Sequence, residues 1–281
     1  MNIKIPKGEK RTLEQIKQHY EIEKELAAKL RYANKNERKN LYSSLYDELF
    51  RRVPAHPQNT RKQSPEEAHY LAAIQLKLLK RFFNKDSTFL EIGSGDCSFS
   101  ILVSDIVSKV YAVDVSQEIV KHNVLPKNLT LIINDGFKIG LHNESVDIAY
   151  SSHLIEHFHP EDIFDHLREI YRVLKPGGRY VIITPNRLNG PHDISRYFDE
   201  VATGFHLKEY TFRELYDILY NEGFTTVNAY IGGKGFYLPL QPYFIICFEK
   251  IINYIPSFLK KSIARSILGK ALLNIHIIGT K

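Results

Sequence analysis

Phe89-Leu90-Glu91-Ile92-Gly93-Ser94-Gly95-Asp96-Cys97-Ser98-Phe99-Ser100 is the stretch on which the fold turns. A short apolar run ends in an acid, two glycines follow one residue apart, and a segment able to start a helix comes next. This is the pattern of a strand that turns sharply into a helix over a bound ligand. Glycine tolerates positive φ and carries no Cβ to hold a ligand off the backbone. The unpaired N–H groups of a helix start point back over the turn. Two spaced glycines also occur in ordinary tight turns, so the reading depends on what lies downstream.

Outward from that turn the chain alternates between strand-like and helix-like segments. Strands are expected at 88–92, 109–113, 129–133, 146–150 and 179–184, then at 225–231 and 274–279, with helices between most of them. Such alternation predicts a doubly wound α/β fold, a mostly parallel sheet covered on both faces. Ligands of such sheets sit outside the C-terminal strand ends. Three of those ends carry an acid. Glu91 precedes the glycine turn, where a carboxylate can meet a ligand ammonium. Asp114 closes the second strand, placed to accept both hydroxyls of a ribose. Asp135, followed by Gly136, closes the third and can accept from an adenine amino group. Any one acid alone reads as a solvated loop or a helix cap; three in register with a glycine turn read as a nucleoside site.

These residues resemble the class I S-adenosylmethionine-dependent methyltransferases over about Ser87 to Gly223. The resemblance rests on Glu91-x-Gly93-x-Gly95, Asp114, Asp135-Gly136, the strand Ser145-Val146-Asp147-Ile148-Ala149, and Leu174-Lys175-Pro176-Gly177-Gly178. The run Ser151-Ser152-His153-Leu154-Ile155-Glu156-His157 is similar to the segment after strand four in these enzymes. What the resemblance implies is a seven-stranded sheet with an antiparallel last strand and S-adenosylmethionine as cofactor. It implies cofactor contacts at Glu91, Gly93, Ser94, Gly95, Asp114, Val115, Asp135, Gly136 and Ser151. Cys97 stands where the family often has a third glycine. A nicotinamide dinucleotide is the competing ligand, but its Gly-x-Gly-x-x-Gly turn would need glycine at Ser98.

His153-Leu154-Ile155-Glu156-His157 also spells the His-x-x-Glu-His of one zinc-peptidase group. That site needs a long helix, and Pro160 follows almost at once, so no metal is expected. The resemblance instead puts this run beside the cofactor's methyl group. From there His153 or His157 can serve as general base toward an acceptor hydroxyl, the plain alternative being local packing.

The rest of the chain bounds the picture. At 281 residues, 43% hydrophobic and 25% charged, it has the composition of a globular protein with room for one large domain. Cys97 and Cys247 make neither a disulfide framework nor a metal knuckle, which favours a cytoplasmic setting. The Lys- and Glu-rich first thirty residues argue against export, and no eighteen-residue uncharged apolar run is present. Three helices are expected over residues 1–84: about 12–33 with a Thr12/Gln15 capping box, 37–52, and 65–83 capped by Ser64. They read as a helical extension capping the main domain, residues 85–281, or as a lid over the acceptor pocket. Two regions are expected to shape that pocket. One is 186–206, with His192, Asp193, Arg196, Tyr197 and His206. The other is an insertion at 232–271, rich in aromatics and Lys, read as a helical subdomain or as an interfacial helix on an anionic membrane. With a net charge of +6 and no nucleic-acid-binding module, the expected acceptor is a small molecule, glycan or lipid intermediate, methylated on oxygen. A non-catalytic nucleoside-binding protein and a membrane-associated lipid or quinone methyltransferase are the alternatives.

Overall fold

Eight strands form one sheet in the computed structural model, which describes every residue except 1–4, 6–7, 61–64, 116–124 and 135–136. They are β1 (Thr88–Ile92), β2 (Lys109–Asp114), β3 (Leu129–Ile133), β4 (Val146–Ser152), β5 (Leu174–Thr184), β6 (Thr226–Gly233), β7 (Phe236–Leu240) and β8 (Ile275–Thr280). Their order is β3-β2-β1-β4-β5-β8-β6-β7. The first five pair in parallel, and β8 slots antiparallel between β5 and β6.

The seven strands expected from the sequence are all present, with β8 as the antiparallel one. An eighth, β7, lies at the start of what reads as a purely helical insertion. It folds back on β6 through Lys234 and Gly235, both at positive φ, as a type I′ hairpin turn requires. Lys175-Pro176-Gly177-Gly178, expected as a turn ahead of the fifth strand, lies inside β5 as a bulge: Val146 faces Leu174, but Ile148 already faces Arg179.

Alternation along the strands sends side chains into two layers. On one face Leu90 and Ile92 pack with Ile163, Leu167 and Ile170 of α6 (Ile163–Val173) and with Leu215 and Leu219 of α7 (Phe212–Asn221). On the other, Phe89 meets Phe99 and Val103 of α5 (Ser98–Ser104) and Leu78 and Leu79 of α4 (Pro65–Leu79). So α4, expected to belong to the extension, is one of the helices covering the sheet. Its proposed cap Ser64 lies outside the described residues.

Of the remaining N-terminal helices, α1 (Leu13–Tyr32) and α2 (Lys35–Arg52) build a third cluster over the strand ends, and the short α3 (Pro57–Thr60) follows them. In that cluster Leu26, Leu30, Leu45 and Leu49 pack on Phe158 and Phe205. The Thr12/Gln15 capping box is present, and α2 starts two residues earlier than expected because Asn34 and Glu37 form another. Buried ion pairing ties this cluster down. Arg38 forks onto Asp162, at 2.7 Å from each carboxylate oxygen, and donates to Ala33 O; Tyr42 Oη donates to the same Asp162. Helices α8 (Pro242–Tyr254), α9 (Ser257–Arg265) and α10 (Ile267–Leu273) follow the hairpin and pack around Leu188, Ile252, Ala264 and Leu273.

Candidate functional site

A cavity of about 400 Å³ opens over the C-terminal ends of β1, β2 and β4, within the range of small-molecule sites. Its floor is the glycine turn. Gly93 and Ser94 donate their N–H groups to Val113 O, at 2.8 and 3.1 Å, which closes the turn against β2. Gly95 N–H donates to Asp114 Oδ2 at 2.7 Å, so the acid closing β2 and the second glycine hold each other. Both glycines have positive φ, and the space where a Cβ of Gly95 would stand is empty cavity. Cys97 also lies in the left-handed region, at φ 62°, which is why glycine suits that position.

Gly93, Gly95, Asp114 and Val115 all line this half, as does Asn134 beyond β3. Asp135 and Gly136 fall outside the described residues. Glu91, Ser94 and Ser151 are described, and stand outside the cavity wall. Glu91 is turned away by a 2.5 Å hydrogen bond from Ser100 Oγ of α5, and burial pushes its pKa up to about 8. Ser151 is buried against Tyr180 Oη at 2.8 Å. In this arrangement Glu91 braces the helix after the glycine turn.

The other half is lined by imidazoles and carboxylates. His153, Leu154, His157 and Phe158 come from the segment after β4, and His192, Asp193, Arg196, Phe205 and His206 from the loop after β5. His153 sits at φ 53°, a conformation that costs a non-glycine residue about 1–3 kcal/mol, and its side chain is 65% exposed. His157 is the opposite case. Burial lowers its pKa to about 4, and Tyr46 Oη (2.7 Å) and Phe205 O (3.1 Å) hold its Nδ1. Glu156 between them is wholly buried. Burial opposes its ionisation, but the surrounding imidazoles outweigh that and keep it a carboxylate. Burial also opposes the charge on His206, yet the Glu209 carboxylate 2.7 Å away raises its pKa above the ordinary value.

The third wall comes from the N-terminal helices, which the sequence marks as a cap or a lid without showing which side chains they bring to the cavity. Helices α1 and α2 contribute His19, Glu23, Tyr42, Tyr46, Leu49 and Phe50, with Arg11 just ahead of them. Arg11 can only donate, so His19 Nδ1 accepts at 2.7 Å and His19 Nε2 donates to Glu23 Oε2 at 2.7 Å. Glu23 Oε1 in turn accepts from Phe205 N–H at 2.9 Å, and Arg31 donates to Gly204 O and His206 O. Gly204 has no room for a Cβ between the carboxylates of Glu23 and Asp193. The N-terminal helices are thus a bonded wall of the cavity. The expected contribution of residues 232–271 is not found: among the described residues, none of that insertion lines the cavity.

A parallel sheet of this order, a glycine turn bonded to an acid closing β2, and a cavity over both define a class I S-adenosylmethionine-dependent methyltransferase domain. Residues 90–182 match the methyltransferase domain. The chain is 31% identical over 137 residues to a probable S-adenosylmethionine-dependent methyltransferase of Mycolicibacterium smegmatis, covering 48% of this chain and 51% of that protein. It is 33% identical over 104 residues to an uncharacterized methyltransferase of Schizosaccharomyces pombe, covering 36% and 39%. The matched segment thus spans about half or less of these relatives. Among solved structures, a SAM-dependent methyltransferase from Archaeoglobus fulgidus superposes with a TM-score of 0.52 at 22% identity, over 85% of this chain and all of that one. One from Thermotoga maritima does so with 0.52 at 16%, over 85% and 98%. At these identities the likeness shows the fold.

Proposed function

We propose that the protein transfers a methyl group from S-adenosylmethionine to the oxygen of a small-molecule, glycan or lipid-intermediate acceptor. The observation that carries this is one continuous cavity with two unlike halves. One is a backbone cradle closed by Asp114, fit for a nucleoside with its ribose on the carboxylate. The other is a ring of imidazoles and carboxylates that can orient and deprotonate a hydroxyl. When bound, the cofactor supplies an already activated methyl group, so the protein's share of the work is alignment and proton removal.

Gly93, Gly95, Asp114 and Val115 form the cofactor side in this reading, with Asn134 beside Asp135 and Gly136 at the adenine end. His153 is the proton acceptor, because it lines the cavity with most of its side chain open, whereas His157 is half-buried and held at Nδ1. Arg11, His19 and Glu23 shape the acceptor end. Calorimetric titration with S-adenosylhomocysteine, followed by a methyl-transfer screen over hydroxylated acceptors, tests the proposal. Tight binding with no transfer to any acceptor would instead favour a nucleoside-binding protein without catalysis.

A second reading, a membrane-associated lipid or quinone methyltransferase, is favoured by the surface of the insertion. Tyr243, Phe244, Ile251, Tyr254, Ile267 and Leu268 are all more than half exposed. Lys250, Lys261, Arg265 and Lys270 are exposed among them, and the insertion's one acid, Glu249, is buried. Apolar side chains set among cations suit an anionic bilayer surface. No helix among the described residues is long and apolar enough to cross a membrane. Failure to co-sediment with anionic liposomes at low salt would remove this reading and leave the first intact.

A further inference from the structure

Glu156 is buried, and only one of its oxygens is satisfied. Oε2 accepts from Thr184 Oγ1 at 2.8 Å, while Oε1 has no hydrogen-bond partner. His153 Nδ1 lies 3.3 Å from Oε1, in ion-pair range but without hydrogen-bond geometry. A buried carboxylate oxygen left this way is costly unless something charged meets it.

Two imidazoles converge on the same point. One donor atom from each of Glu156, His157 and His206 lies within 4.8 Å of the other two, and the two rings meet edge to face at 4.9 Å. Each ring is held from its far side. His206 Nδ1 is 2.7 Å from Glu209 Oε1, and His157 Nδ1 is 3.1 Å from Phe205 O. A carboxylate can only accept, so Glu209 assigns the His206 proton to Nδ1 and leaves its Nε2 with a lone pair; His157 Nε2 is left the same way when Nδ1–H is shared between the Phe205 carbonyl and Tyr46 Oη, 2.7 Å away, as acceptors. An outer nitrogen fixed by a carboxylate or carbonyl and an inner lone pair free to coordinate is the pattern of metal-ligating histidine.

We propose that Glu156, His157 and His206 bind one divalent cation of the Mn²⁺, Co²⁺ or Zn²⁺ kind. Two imidazoles and one carboxylate suit these ions better than Mg²⁺, which prefers oxygen ligands and water. The site is not the zinc-peptidase arrangement that His-x-x-Glu-His spells, since His153 is replaced as a ligand by His206 from the loop after β5. A second cluster, His19, Glu23 and His56, differs in kind: there the Arg11 guanidinium already occupies His19 Nδ1, and its charge opposes a cation. The role of the cation, to hold the acceptor oxygen on an open coordination position, rests on the methyltransferase reading; its binding does not.

The test is titration of MnCl₂ into the chelator-stripped full chain, followed by electron paramagnetic resonance, and of CoCl₂ followed by visible absorption. One site is expected, weakened at least tenfold by Glu156→Gln, by His206→Ala and by His206→Gln. S-adenosylhomocysteine should bind those variants within about twofold of the wild type, showing that they are folded with the cofactor half intact. No uptake of Mn²⁺ or Co²⁺ by the wild type, or equal uptake by the variants, would overturn the proposal. Metal uptake without S-adenosylhomocysteine binding would count against the methyltransferase reading instead.

Discussion

Replacing Asp114 by Ala removes the group on which the cofactor half depends. Its Oδ2 accepts from Gly95 N–H at 2.7 Å, and its carboxylate faces the cavity at the end of β2. An ionised carboxylate has about four lone-pair sites, so holding the turn leaves capacity for ribose hydroxyls. One hydrogen bond to a charged acceptor contributes about 1.5–3 kcal/mol, and about 1.4 kcal/mol is already tenfold in affinity. Asp114→Ala should therefore weaken S-adenosylhomocysteine by at least tenfold in calorimetric titration. Asp114→Asn should fall between, because its amide oxygen can still accept from Gly95 but lacks the charge. Circular dichroism melts of each variant separate loss of the site from loss of the fold. Equal binding by wild type and Asp114→Ala would refute the ribose role, and heat with NAD but none with S-adenosylhomocysteine would refute the cofactor.

Arg38→Met strands Asp162 in the interior, a change that costs about 3–5 kcal/mol for a buried pair; a large fall in Tm is expected, partly restored by adding Asp162→Asn, and an unchanged Tm would mean the N-terminal wall is not held as described. Glu91 gives a pH signature. Its folded pKa of about 8 exceeds the ordinary 4.5, so the folded state keeps a proton that the unfolded chain releases. Stability is fully present below pH 4.5 and is lost as pH rises through about 8, by on the order of 5 kcal/mol. Glu91→Gln cannot ionise and should flatten the decline of Tm between pH 5 and 9; parallel curves for both proteins would contradict the buried neutral acid. Once an acceptor is in hand, His153→Ala should lower kcat by about 10²-fold with little change in KM or in S-adenosylhomocysteine affinity, and a loss confined to KM would make His153 a binding residue.

The sequence by itself determined what short-range chemistry controls. Period-two and period-3.6 patterning set which segments become strands and helices, because burial of one face needs only local spacing. The glycine turn and Asp114 were readable because β1, the turn and β2 are consecutive, and a positive φ at Gly93 and Gly95 is a property of single residues. Tertiary structure decided the rest. The direction of the Glu91 side chain depends on Ser100 across the turn, which its strand position does not reveal. β7 was hidden because a two-residue hairpin through Lys234 and Gly235 interrupts an otherwise helix-like aromatic stretch. The acceptor half is assembled from residues far apart in the chain. Arg38 meets Asp162, Glu23 meets Phe205, and His206 joins Glu156 and His157. No local pattern encodes such pairs, since each forms only when the sheet brings its C-terminal strand ends under the N-terminal helices.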